Sequence, residues 1–194
     1  MRSGSGKSAV VRKIALCAML MALSTVIGIL CKDWCTWGVY YRLTFENFPV
    51  IIAGFLFGPF WGAAVGAGAD VVSCLMSTNP AVNYVITLGA AMVGLCAGIV
   101  PLIVKAVSGG IRFRLSLALA VASAHLFGQV IIKSIGKIFY FSMPKEGIFV
   151  GAGFSLVVGT VEYFLIRKLL SNREIRSHLS GLSPVLSAEN AEEK

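Results

Sequence analysis

Six apolar runs, separated by short polar or turn-forming stretches, leave this chain few folds open to it. They cover about residues 14–30, 48–57, 61–76, 84–104, 115–141 and 149–169. A helix of about 20 apolar residues, rising about 1.5 Å per residue, crosses a bilayer core of about 30 Å. The second run is short by that measure and implies a tilted helix or a longer one than its apolar part. The 194 residues are 57% hydrophobic and 13% charged. A soluble domain holds about 45–50% apolar and about 25% charged residues, so this chain lacks the polar surface to cover a water-exposed globule. The expected fold is a single all-α integral membrane bundle of six transmembrane helices.

A net charge of +8 is compatible with nucleic-acid binding, but the positions of the charges argue for a membrane. Arg2, Lys7, Arg12 and Lys13 precede the first run. Lys105, Arg112 and Arg114 sit between the fourth and fifth, and Arg167, Lys168, Arg173 and Arg176 follow the sixth. Cytoplasmic segments carry such an excess, and an anionic inner leaflet attracts it. Both termini are therefore expected in the cytoplasm, with outer loops at about 31–46, 77–83 and 142–147. The chain divides into a basic N-terminus (1–13), the membrane domain (14–170) and a polar, mobile C-terminal tail (171–194). A cleaved signal peptide is the competing reading of the first run. No small-x-small site precedes a polar mature domain, and further membrane runs follow.

Several motifs fall away. Ser3 to Ser8 resembles a phosphate loop, but the glycine needed five residues before Gly6-Lys7-Ser8 is Met1, and no strand precedes it. Cys17, Cys31, Cys35, Cys74 and Cys96 form no disulfide framework, and Cys31 with Cys35 lacks a second ligand pair for a metal. No Ser/His/Asp order, His-Glu-x-x-His or hydrolytic carboxylate pair appears, so no catalytic residues and no metal are expected.

The polar residues inside apolar runs carry the functional reading. Asp70 follows the Gly/Ala stretch from Gly62 to Ala69. A carboxylate at bilayer depth is costly and faces protein or a cavity. It either meets an internal partner such as Lys133 or a backbone amide, or accepts two hydrogen bonds from a guanidine-like ligand edge. His125, Gln129, Lys133 and Lys137 recur every four residues and form one polar stripe on the fifth run. Snorkelling accounts for Lys137; a cavity wall holding an anionic ligand group accounts better for the rest. Trp34, Trp37, Tyr40 and Tyr41 beside Arg42 form either an interfacial aromatic belt or a stacking lid over a flat heteroaromatic ligand. Asn83 adds hydrogen-bonding capacity in the next outer loop. Glu162 is expected to pair with a basic residue. Ala15, Ala18 and Ala22 give the first helix a small-residue face, for internal packing or for docking to a separate membrane subunit.

Together, the alanine face, the aromatic loop, and Arg42, Phe45, Pro49, Phe57-Gly58-Pro59, Gly62, Gly66 and Asp70 resemble the substrate-binding S components of energy-coupling factor (ECF) vitamin transporters, over about residues 10–170. Within that family the pattern is most similar to the folate-type members. The resemblance implies a bacterial plasma-membrane protein that captures a vitamin from outside and is not itself an enzyme. It implies as partners a transmembrane T component and two cytoplasmic ATPases, and a toppling motion that delivers the ligand inward. No cofactor is expected in the chain, because ATP would be hydrolysed by the partner subunits. Folate fits the residues: the pterin edge suits Asp70 and Asn83, and the tail carboxylates suit Arg42 and Lys133 or Lys137. Riboflavin, pantothenate or a queuosine precursor on the same scaffold is the alternative, ahead of a membrane protein without a transport role.

Overall fold

The computed structural model describes residues 4–34, 36–37, 41–42, 45–76, 83–108, 113–142, 144 and 147–187, with the backbone alone for 4–7, 32–34, 36–37, 41–42 and 141. Helix α1 (Gly4–Trp34) is followed by a two-strand antiparallel ribbon, β1 (Thr36–Trp37) with β2 (Tyr41–Arg42), in which Thr36 lies opposite Arg42. Then come α2 (Asn47–Phe57), α3 (Pro59–Leu75), α4 (Tyr84–Ser108) and α5 (Phe113–Ser123). A π-helical stretch (Ala124–Lys133) joins α5 to α6 (Ser134–Phe141), and α7 (Gly147–Ser171) and α8 (Arg173–Ser180) complete the order. Apart from the ribbon the described architecture is helical, as the sequence predicts.

Among the described residues, four stretches are long and apolar enough to cross a membrane: Ser8–Cys31, Tyr84–Ser108, Phe113–Tyr140 and Gly147–Ser171. The two shorter apolar helices, α2 and α3, are explained by where they lie. In α2 every residue except Phe48 is buried, because α1, α3, α4, α5 and α7 all pack around it. A helix apolar on all sides belongs in a core rather than at a lipid boundary. The outward surface of the bundle is itself apolar: Phe60, Val107, Phe139 and Phe149 are each about four-fifths exposed. On a water-soluble protein such a surface aggregates; here it matches lipid.

The turn from α2 into α3 is made by Gly58, at φ 100°, a backbone region that favours glycine, with Pro59 opening α3. Helix α3 packs most extensively on α4. Their crossing is backbone against backbone: a Cβ on Gly94 would overlap the carbonyl of Gly62, and one on Gly66 would overlap the carbonyl of Ala90. The Gly/Ala run therefore serves close approach inside the chain.

The segment expected to be a polar tail instead folds back. Asn172 caps α8 by accepting from the Glu174 amide at 3.1 Å. Leu179 and Leu182 pack against the core, and Val185 and Leu186 are buried in it with Ile166, Leu170 and Phe57. Leu179 lies near the end of α8, and Leu182, Val185 and Leu186 lie in or after the turn beyond it, so they reach the core from separate short elements. Leu186→Asp should cost about 3 kcal/mol, the scale for placing an unpaired charge in a core. The expected result is a melting temperature in detergent lowered by several degrees; an unchanged value would mean that the segment contributes nothing to the core.

Candidate functional site

The end of the bundle where α1 and α3 finish and α2 and α4 begin holds a small cleft, part of it open to solvent. It is lined by Ser24 of α1, Glu46, Asn47 and Val50 at the start of α2, Gly66, Ala69, Asp70 and Ser73 of α3, Ala90 of α4, and Lys133. The helices meet closely here because small residues face one another, and polar side chains fill what remains.

Asp70 is held in place by α4: the Thr87 hydroxyl donates to its Oδ2 at 2.6 Å. Of the two internal partners expected for Asp70, Lys133 and a backbone amide, neither is found at this oxygen; a hydroxyl takes the place. Lys133 is 5% exposed, and its Nζ donates to Glu46 Oε1 at 3.0 Å. Glu46 stands just before α2, and its backbone carbonyl accepts from the Ser24 hydroxyl at 2.6 Å. Asn47 is 2% exposed, and its amide nitrogen has no hydrogen-bond partner among the described residues. A buried donor left unpaired is costly, so one at a cleft is a natural contact for a ligand acceptor.

The polar stripe divides. The π-helical winding, with i→i+5 hydrogen bonding, changes the register of residues spaced by four. Lys133 reaches the cleft, whereas His125 turns to α7, where Nδ1 lies 2.9 Å from Ser155 Oγ and Nε2 lies 2.7 Å from Glu162 Oε2. Glu162 thus pairs with a histidine. Gln129 and Lys137 are half-buried and are not among the cleft's lining residues. The expectation of one continuous cavity wall built from all four is corrected in this respect.

Asn83 caps α4: its Oδ1 accepts from the amides of Val85 and Ile86 at 3.1 and 3.3 Å. That bonding occupies its carbonyl and leaves the amide nitrogen for other partners. Trp34, Trp37, Tyr41 and Arg42 are described by backbone alone, and Tyr40 lies outside the described residues. Ala15, Ala18 and Ala22 are exposed on α1, whose inner side carries Cys17, Ser24, Thr25 and Gly28. Internal packing does not use the alanine face.

Sequence reasoning missed Glu46, Ser24, Asn47, Ser73 and Thr87 as members of the site. A signal was present: each is a polar residue in or beside an apolar run, and Ser73 follows Asp70 at helical spacing.

The sequence matches the family model described as ECF transporter, substrate-specific component, over residues 12–169. No curated protein matches it significantly. Seven chains of known structure match. Among them is a crystal structure of FolT bound with folic acid, with a TM-score of 0.62 and 18% identity, covering 79% of this chain and 89% of that one. At that identity the likeness is one of fold.

Proposed function

Because this chain belongs to the family of substrate-specific components of ECF transporters, we propose that it captures folate at the outer face of a bacterial plasma membrane, for ATP-driven uptake with a T component and two ATPases. In this reading six helices span the bilayer and both termini are cytoplasmic. The cleft then opens outward, at the end where α1 finishes, and the exposed face of Ala15, Ala18 and Ala22 is available to the T component.

The observation that carries the ligand assignment is the lining of the cleft. A fixed carboxylate (Asp70), a buried ammonium (Lys133) and a buried unpaired amide (Asn47) surround one space. The amino-pyrimidinone edge of a pterin offers adjacent donors to a carboxylate and an acceptor oxygen to an amide, while the ammonium suits a ligand carboxylate. The tail adds carboxylates for basic groups, with Arg42 and Lys137 as further candidates. Aromatic rings at Trp34, Trp37, Tyr40 and Tyr41 would stack on the bicyclic head. The fold shared with a FolT that binds folic acid supports the same choice.

The test is tryptophan fluorescence of the purified protein, with Trp34, Trp37 and Trp61 as reporters. Tight, saturable quenching by folate and none by riboflavin or pantothenate is the expected result. Quenching by riboflavin or pantothenate alone would replace the ligand while leaving the family intact.

A further inference from the structure

The Glu46–Lys133 pair borders the cleft, with the Lys133 stem beside Gly89 of α4 and the Glu46 carboxylate beside Gly28 of α1. Both side chains retain some access, 7% for Lys133 and 14% for Glu46. We propose that Lys133 is the carboxylate subsite of the cleft and that Glu46 acts as an internal competitor for it, so that an incoming ligand carboxylate must displace the Glu46 carboxylate. This inference rests on the folate reading above and adds how the site selects its ligand.

Two observations carry it. First, the exchange conserves charge. An ammonium this deeply buried requires a counter-ion, and removing one member of such a pair leaves a costly uncompensated charge. Glu46 supplies the negative charge beforehand, and a ligand carboxylate supplies it afterwards. A neutral ligand offers no such replacement, so the pair discriminates against it.

Second, only the side chain has to move. The Glu46 backbone is anchored by the Ser24 hydroxyl on its carbonyl. Its Oε2 lies beside Gly28 of α1, where an added Cβ would come to 3.1 Å of it. Glycine at position 28 thus admits the Glu46 side chain against α1.

The experiment measures dissociation constants of the full-length purified protein for folic acid and for 6-methylpterin, which has the head and no carboxylate. The quantity read is the preference, the 6-methylpterin constant divided by the folic acid constant. Glu46→Gln removes the competing charge and keeps an oxygen that accepts from Lys133. It should raise the preference by about tenfold, as expected for freeing a buried charge partner. The double variant Glu46→Gln with Lys133→Gln abolishes the subsite and should lower the preference below that of the wild type by about the same factor. A Glu46→Gln preference within twofold of the wild type would overturn the proposal and leave the folate reading in place. If that variant does not fold, the double variant decides: a preference equal to the wild type overturns the proposal. A wild-type protein that binds neither compound overturns both readings.

Discussion

Asp70→Asn should weaken folate binding by about a hundredfold, or about 2.7 kcal/mol. The carboxylate is fixed by the Thr87 hydroxyl on Oδ2 at 2.6 Å and lines the cleft from α3. A hydrogen bond to a charged group contributes about 1.5–3 kcal/mol, and two ligand donors facing one carboxylate lie at the upper end. The asparagine keeps the shape and removes the charge, and its amino group opposes the ligand's own donors. Thr87→Val leaves the carboxylate in place and removes what orients it, so a loss of about fivefold to tenfold is expected. The ordering of the two variants matters as much as their size. A purely structural Asp70–Thr87 bond predicts similar losses for both, together with lowered melting temperatures. Titration of each variant by tryptophan quenching separates the cases, and an Asp70→Asn affinity within threefold of the wild type would remove Asp70 from the ligand contact.

The parts of this site that were legible in the sequence are those where cost marks a residue individually. Asp70 and Lys133 stand out because a charge inside an apolar run must have a reason. Their partners do not stand out, because a hydroxyl or a carboxylate at a helix end is ordinary. Glu46 reads locally as a helix boundary, and its pairing with Lys133 spans 87 positions of the chain. Thr87 reads as a turn-proximal helix residue until α3 and α4 are laid side by side. The fold follows the same rule. The apolar runs mark the helices, with α4 and α7 extending a few residues beyond them and α1 (Gly4–Trp34) reaching back through most of the basic N-terminus. What hydropathy does not resolve is which apolar helix meets lipid and which meets protein, so the burial of α2 emerges only from its neighbours. The π-helical winding of Ala124–Lys133 is likewise invisible to a count by fours, and it is what sends His125 and Lys133 to different partners. In the C-terminal segment an average polarity hides four apolar residues, Leu179, Leu182, Val185 and Leu186, that reach the core around the turn after α8.

Gly94→Val should remove most of the folded protein, and Gly94→Ala should lower the melting temperature in detergent by more than 10 °C. At this position the atoms that an added Cβ would meet belong to the Gly62 backbone. Overpacking costs about 1–3 kcal/mol where side chains can yield, and more where a helix backbone must retreat. Gly68→Ala is the instructive contrast: its Cβ would meet only the end of the Met21 side chain, which has other rotamers. Gly153→Ala meets nothing within 4 Å and should be neutral or slightly stabilising, because alanine suits a helix better than glycine. The consequence reaches the ligand site by a short route. Along the antiparallel α3 and α4 the contacts step from Gly62 with Gly94, to Gly66 with Ala90, to Asp70 with Thr87. The first two set the separation of the helices at which the third can form. Gly94→Ala protein that still folds should therefore bind folate more weakly although residue 94 does not line the cleft, and Gly68→Ala should not. Equal affinities in the two variants would show that the glycine crossing supports the fold without setting the geometry at Asp70.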